Sequence, residues 1–131
     1  MSATWTDGEL RRVGAATELQ IATRRDDGSL RHYVTIWTVR AGDHLYVRSA
    51  YGADNPWFRR ATASGSGRIR AGGIERDVTF TPVSELDAAT QAAVDAAYHA
   101  KYDRYGPQIV GTVTGAHAAP VTLRLVPQDA S

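Results

Sequence analysis

The sequence predicts a small α+β protein built on one antiparallel sheet. Three observations support this prediction: two hairpins joined by a short helix, one long helix in the second half, and a return strand near the end. The 131 residues fit a single domain, 1–131, and are enough to bury a core without disulfides. We therefore expect a small antiparallel barrel or roll.

The first half of the chain is expected to hold a helix and three strands. Thr6 and Glu9 have the spacing of a capping box, which predicts a helix that ends near Ala16. Strands are expected over residues 18–24, 30–40 and 44–49. The Asp27-Gly28 pair between the first two is typical of a tight hairpin. The strand over 30–40 has large apolar side chains on both faces, so we expect it to be covered on both sides.

The second half is expected to begin with a short helix and a hairpin. Asn55-Pro56 is typical of an N-cap followed by proline at the first helical position, which predicts a helix over 57–63. The hairpin is expected to pair residues 68–71 with 74–82 across two glycines. A final strand is expected over 121–126, whereas residues 108–119 show no clear pattern.

The longest helix is predicted between the hairpin and the final strand. Ser84 and Asp87 are suited to cap it, and Gly106-Pro107 ends it after about Tyr105. Its expected apolar stripe comprises Leu86, Ala89, Ala93, Ala97 and Tyr98.

Composition excludes several classes of function. No run approaches the roughly 20 apolar residues of a membrane span, and a net charge of +1 is too small for a dedicated nucleic-acid protein. The absence of cysteine excludes disulfides and thiolate chemistry, and a cytoplasmic location is the default expectation. The four histidines stand in different elements without close ligand spacing, so no metal site is expected.

Residues 33–60 are the most informative for function. Tyr33, Thr35 and Trp37 alternate along one face of the expected strand and would form an aromatic platform with a hydroxyl between. The next strand ends at Arg48, close to the start of the following helix. A basic strand end beside a glycine turn and a free helix N-terminus can bind an anion, with Arg59 and Arg60 as further cations. A core aromatic strand with solvated arginines explains the same pattern, and the residues alone leave both interpretations open.

Eight segments resemble the DUF2255 family, an uncharacterised bacterial family, over nearly the whole chain. They are residues 28–31, 34–39, 45–49, 57–60, 67–73, 76–80, 97–102 and 122–125. The order of elements is also similar to the FMN-binding split-barrel proteins, which include pyridoxamine-phosphate-oxidase-like and deazaflavin-dependent enzymes. This resemblance implies an α+β, small antiparallel split β-barrel. It also implies a short N-terminal helix, a short helix after the third strand and one long helix in the C-terminal half.

The resemblance also implies a cofactor site for FMN or deazaflavin F420. The positions comparable to the phosphate-binding residues of those proteins are Arg48, Ser49, Gly52, Trp57 and Arg60. The segment with Tyr33, Thr35 and Trp37 would lie along the cofactor ring. No catalytic residue is assigned, although Tyr33 or Tyr51 is a candidate proton donor.

Two functions from different classes stay open at this point. The first is a flavin- or deazaflavin-dependent oxidoreductase that reduces a small molecule, expected as a homodimer because small split barrels place the cleft between subunits. The second is a non-catalytic small-molecule binding protein on the same fold with no flavin. Asp54, beside the expected phosphate position, favours the second function, since a carboxylate repels a phosphate.

Overall fold

A seven-stranded antiparallel sheet organises the computed structural model, which describes residues 4–128. The helices are α1 (Asp7–Ala15), α2 (Pro56–Ser64), α3 (Ala88–Tyr102) and α4 (Pro107–Val110). The strands are β1 (Leu19–Thr23), β2 (Val34–Ile36), β3 (Val39–Ala41), β4 (His44–Arg48), β5 (Ser66–Ala71), β6 (Ile74–Pro82) and β7 (Thr122–Pro127). The sheet order is β2-β1-β5-β6-β7-β4-β3, and the sheet curls into a half-barrel. Within residues 4–128, no helix is long and apolar enough to cross a membrane.

Several elements form where their local sequence predicts them. The hydroxyl oxygen of Thr6 accepts a hydrogen bond from the Glu9 amide at 3.1 Å, and the Glu9 carboxylate accepts one from the Thr6 amide at 2.9 Å. The capping box of α1 is therefore confirmed. The predicted hairpin is also confirmed, as β5 and β6 pair along their whole shared length.

The strand predicted over residues 30–40 is instead two short strands at opposite edges of the sheet. β2 pairs with β1, β3 pairs with β4, and Trp37-Thr38 joins them. The Thr38 amide donates to the Tyr102 hydroxyl oxygen at 3.2 Å, which fixes the link. The prediction of one continuous strand covered on both sides is wrong, because β2 and β3 pair with different strands and Val34 of β2 is exposed. As a result, α2 follows the fourth strand rather than the third.

Two hydrophobic clusters lie against the sheet. The larger cluster packs α1 and α2 on the curled sheet and includes Leu10, Val13, Leu19, Ile21, Leu45, Val47, Trp57, Phe58, Ile69, Val78, Phe80, Leu123 and Leu125. The smaller cluster packs α3 and the α4 region on β3 and β4 and comprises Val39, Tyr46, Val94, Tyr98, Tyr102, Val110 and Val113. The helices thus cover the sheet where its strands are most apolar.

The buried stripe of helix α3 matches the predicted one only at Tyr98. The N-cap of the helix is Asp87 itself, not Ser84 with Asp87 in the first turn, and its buried residues are Gln91, Val94, Tyr98 and Tyr102. Leu86, placed in the predicted stripe, lies before the helix and is 88% exposed. The helix presents Val94 and two tyrosines to the sheet because these side chains bury far more apolar area than alanines do.

We expect Gly67→Ala to lower the free energy of unfolding by about 3 kcal/mol or more. A Cβ at Gly67 would lie 2.0 Å from the Ala22 carbonyl oxygen and 2.9 Å from Phe80 Cζ, and the backbone of a paired strand cannot move aside. Urea denaturation measures the change. The control is Gly111→Ala, which meets no atom within 4 Å at a helical φ of −59° and should be neutral or stabilising by up to about 1 kcal/mol. Equal effects of the two substitutions would contradict this account.

Candidate functional site

A cleft of about 260 Å³ opens where β2, the end of β4, the start of α2 and the α4 region meet. Its walls are mostly apolar, and its volume lies just below the usual range for small-molecule sites. The lining residues are Val34, Thr35, Ile36, Trp37, Arg48, Ala50, Tyr51, Asn55, Trp57, Ile109, Thr112 and Val113. The residues that line the cleft therefore lie between 34 and 113 in the sequence, and they include Trp37 of the link between β2 and β3.

The structure brings half of the predicted site residues to this cleft. Thr35, Trp37, Arg48 and Trp57 line it, whereas Tyr33, Ser49, Gly52 and Arg60 do not. The hydroxyl of Ser49 donates to the Gly52 carbonyl oxygen at 2.6 Å and shapes the turn before α2. Arg60 is exposed on α2.

The predicted aromatic platform does not form as a single surface. The Tyr33 ring lies 3.9 Å from the guanidinium carbon of Arg70, on β5. Trp37 instead stacks on Tyr102, with ring centroids 3.9 Å apart and planes inclined by 7°. Trp37 is thus held as a fixed wall of the cleft by α3, while Tyr33 packs on Arg70 of β5.

The side chain of Arg48 is fully buried, and all its N–H groups are engaged. Its Nε donates to Thr122 Oγ1 at 2.9 Å, and one terminal nitrogen donates to the Val113 carbonyl oxygen at 2.8 Å and to the Asp95 carboxylate. The other terminal nitrogen donates to Gln91, at 2.6 Å to its side-chain oxygen and 3.4 Å to its carbonyl oxygen. A guanidinium has five N–H donors, so none is left for a cofactor phosphate.

The first turn of α2 offers a different place for an anion. Asn55 precedes the helix as predicted, but its side chain makes no capping hydrogen bond. The amides of Trp57 and Phe58 consequently have no side-chain acceptor from this residue, and Asn55 and Trp57 both line the cleft. A helix start of this kind attracts negative charge through its free amides and its dipole.

The outer wall of the cleft has no clear signal in the sequence. Ile109, Thr112 and Val113 come from a segment without a clear pattern, which folds as α4 and a 3₁₀ turn over Gly111–Val113. Several large apolar side chains at this rim are exposed: Val34 by 37%, Tyr51 by 79% and Ile109 by 46%. An exposed apolar rim around a cleft marks a binding surface.

The fold is a split β-barrel, and solved structures with a similar fold are described as an F420 reductase and as FAD-binding proteins. An F420 reductase matches with a TM-score of 0.54 at 17% identity, over 96% of this chain and 97% of that one. A FAD-binding protein from Mesorhizobium loti matches with a TM-score of 0.59 at 17% identity, over 98% and 94%. A FAD and heme binding protein from Mycobacterium smegmatis matches with a TM-score of 0.53 at 17% identity, over 97% and 67%.

The chain itself belongs to the DUF2255 family, described as uncharacterised proteins conserved in bacteria, which matches residues 9–125. No curated protein shows significant similarity to the sequence. The predicted family and the predicted split-barrel fold are therefore confirmed.

We expect Arg48→Met to lower the free energy of unfolding by about 3–5 kcal/mol, because it removes the donor to Thr122 Oγ1 and to the Val113 carbonyl oxygen and leaves the Asp95 carboxylate without its counter-ion. Arg48→Lys should recover only part of the loss, since an ammonium cannot reproduce the planar fork. Urea denaturation gives both values. Arg59→Met, at an exposed position of α2, is the control and should change stability by no more than about 0.5 kcal/mol. A loss below about 1 kcal/mol for Arg48→Met would contradict this structural role.

Proposed function

We propose that the protein binds FMN or deazaflavin F420 in this cleft and uses it to reduce a small molecule. The observation that carries the proposal is the cleft itself, which has apolar walls, a fixed tryptophan and an uncapped helix start. Solved proteins of this fold are described as an F420 reductase and as FAD-binding proteins, which favours a cofactor of the same type. A flavin or deazaflavin supplies hydride transfer, and the protein binds and orients it.

The apolar part of the cleft fits the cofactor ring. Trp37 presents a flat surface that its stack on Tyr102 holds in one orientation, and Trp57 is buried at the start of α2. Thr35 adds a hydroxyl at the edge strand of the sheet. We assign these three residues to the ring. Tyr51 is the candidate proton donor, because it lies at the exposed rim where a substrate would enter.

The polar end of the cleft fits the cofactor phosphate. The amides at the start of α2 supply donors, and the Ser49–Gly52 turn sets the direction in which the chain enters the helix. Arg60 is an exposed cation on the same helix. Arg48 serves this site as a positioning residue, since it fixes Val113 in the cleft wall and donates all its N–H groups within the protein.

A second copy of the chain would complete the cleft. The volume of about 260 Å³ is small for a cofactor of this size, and exposed Val34, Tyr51 and Ile109 surround the opening. Burying these side chains against a partner would remove apolar surface from water. We therefore propose a homodimer with the cleft between subunits, formed by β2 and the C-terminal end of α3 near Tyr105.

Titration of the protein with FMN, riboflavin and F420 tests the cofactor site. We expect FMN to bind more tightly than riboflavin, because riboflavin lacks the phosphate that the start of α2 would hold. Trp37→Ala should weaken binding about tenfold through loss of the stacking surface. The control is His99→Ala, an exposed position on α3, which should leave affinity unchanged.

The alternative function is a small-molecule binding protein without a flavin. Exposed Asp54 favours it, since a carboxylate close to the start of α2 opposes phosphate binding. If the wild-type protein binds none of the three compounds, the oxidoreductase function is rejected and this alternative remains. If FMN and riboflavin bind with equal affinity, the proposed phosphate contact at the start of α2 is rejected, whereas the proposed ring contacts are kept.

We expect light scattering to give the mass of a dimer at micromolar concentration. Ile109→Glu should shift the protein to the monomer, because it places a charge on the apolar rim that the partner would cover. Leu86→Glu is the matched control, as Leu86 is 88% exposed and lies away from the cleft. A wild-type protein that is strictly monomeric would reject the shared cleft.

A further inference from the structure

A second groove lies between α1, β3 and α3 and shares no lining residue with the cofactor cleft. Its volume is about 600 Å³. The floor is formed by small and apolar side chains, and the rim carries the cations Arg11, Arg40 and Lys101. None of the residues that line it, all within residues 4–128, is a carboxylate. The groove therefore combines an apolar surface with charged side chains that are all positive.

Lys101 lines this groove and is the single lysine among the 15 lysine and arginine residues. Its Nζ donates to the Thr38 carbonyl oxygen at 2.6 Å and lies 5.1 Å from the centre of the Tyr102 ring. Within residues 4–128 no carboxylate lies in salt-bridge contact with it. An ammonium has three N–H groups, and half-buried Lys101 uses one of them on the Thr38 carbonyl oxygen. Two donors therefore stay available to a ligand.

Burial lowers the pKa of Lys101 to about 8, the direction expected for an ammonium that loses water without gaining a counter-ion. An anion bound at Nζ would reverse that effect, because an opposite charge favours the ammonium.

The neighbouring arginines extend the positive charge along the groove. The aliphatic stem of Arg40 packs on Gly14 of α1, where a Cβ would lie 3.1 Å from the Arg40 Cβ. The Nε of Arg40 donates to the Gly42 carbonyl oxygen at 2.8 Å, and its Nη lies 3.9 Å from the Asp43 carboxylate. Arg11 is exposed on α1. Arg40 thus holds a fixed position at the rim, beside an apolar floor that includes buried Leu10 and Val39.

We propose that this groove binds a small organic anion, with a carboxylate or phosphate head on Lys101 and Arg40 and an apolar body on the floor. The anion supplies the counter-charge that Lys101 lacks, and the floor accepts a part of the ligand that prefers to leave water. The site is separate from the cofactor cleft, and its occupancy does not depend on a flavin.

The pH dependence of binding follows from the groups that face Lys101. The other cations of the groove are Arg11 of α1 and Arg40 of β3. Tyr102, beside Lys101 on α3, has its pKa raised to about 12, mainly by burial, with Glu18 and Arg104 acting on it as further charges. Asp43 faces Arg40. Affinity should therefore be highest below about pH 8, where Lys101 is charged, and fall as the pH rises above that value.

Labelling with ¹³C-lysine tests the proposal on the wild-type protein, because the chain gives a single lysine side-chain signal. Without a ligand the signal should titrate near pH 8. Benzoate in excess should raise the midpoint by roughly one pH unit, and benzamide, its neutral counterpart, should leave it unchanged. Phenyl phosphate, compared with benzoate, shows which head the site prefers. A midpoint that no anion moves would overturn the proposal.

Variants give a second, independent measurement by calorimetric titration with benzoate. Lys101→Met should weaken binding at least about tenfold, and Lys101→Arg should keep binding but lose its pH dependence up to about pH 10. Arg104→Met is the control, because the Arg104 side chain stacks on Tyr105 and does not line the groove. Circular dichroism confirms that each variant folds. Equal benzoate affinity in the wild type and Lys101→Met would also overturn the proposal.

Discussion

The buried guanidinium of Arg48 holds together the parts of the fold that surround the cleft. It stands at the last residue of β4 and bonds to α3, to β7 and to the turn that follows α4. Removing a charge from water costs several kcal/mol unless its donors are all satisfied, so this geometry leaves little freedom to any of the four segments. The cleft wall at Val113 is fixed by this arrangement. A site that must hold a rigid ligand benefits from walls that are themselves held by buried polar contacts.

The sequence predicts what depends on near neighbours. The capping box of α1, the β5–β6 hairpin and the proline at the start of α2 each involve residues a few positions apart, and each forms where the sequence places it. The break at Trp37-Thr38 depends on Tyr102, 64 residues further along the chain from Thr38. No local pattern contains that contact, so an apolar run that resembles one strand is divided between two edges of the sheet.

The candidate site shows the same division. The sequence predicts Trp37 from its place on an aromatic strand face, and the resemblance to split-barrel proteins predicts Trp57; both line the cleft. In the sequence, a structural arginine at a strand end looks the same as an arginine that binds a phosphate. Only its partners distinguish the two roles, and those of Arg48 lie between 43 and 74 residues away. The outer wall at Ile109 has no sequence pattern because it is made of short turns held by tertiary contacts.

The two-residue link between β2 and β3 also bears on how the protein avoids backbone pairing between its edge strands and the strands of another chain. Each edge strand of the sheet is three residues long, which leaves few unpaired amides and carbonyls on which another chain could add a strand. The link holds the end of one edge within about 11 Å of the start of the other, since consecutive Cα atoms are 3.8 Å apart. A sheet whose edges are short and tied to each other cannot flatten into an extended ribbon. The link that contributes Trp37 to the cleft therefore also protects the folded chain against edge-to-edge aggregation.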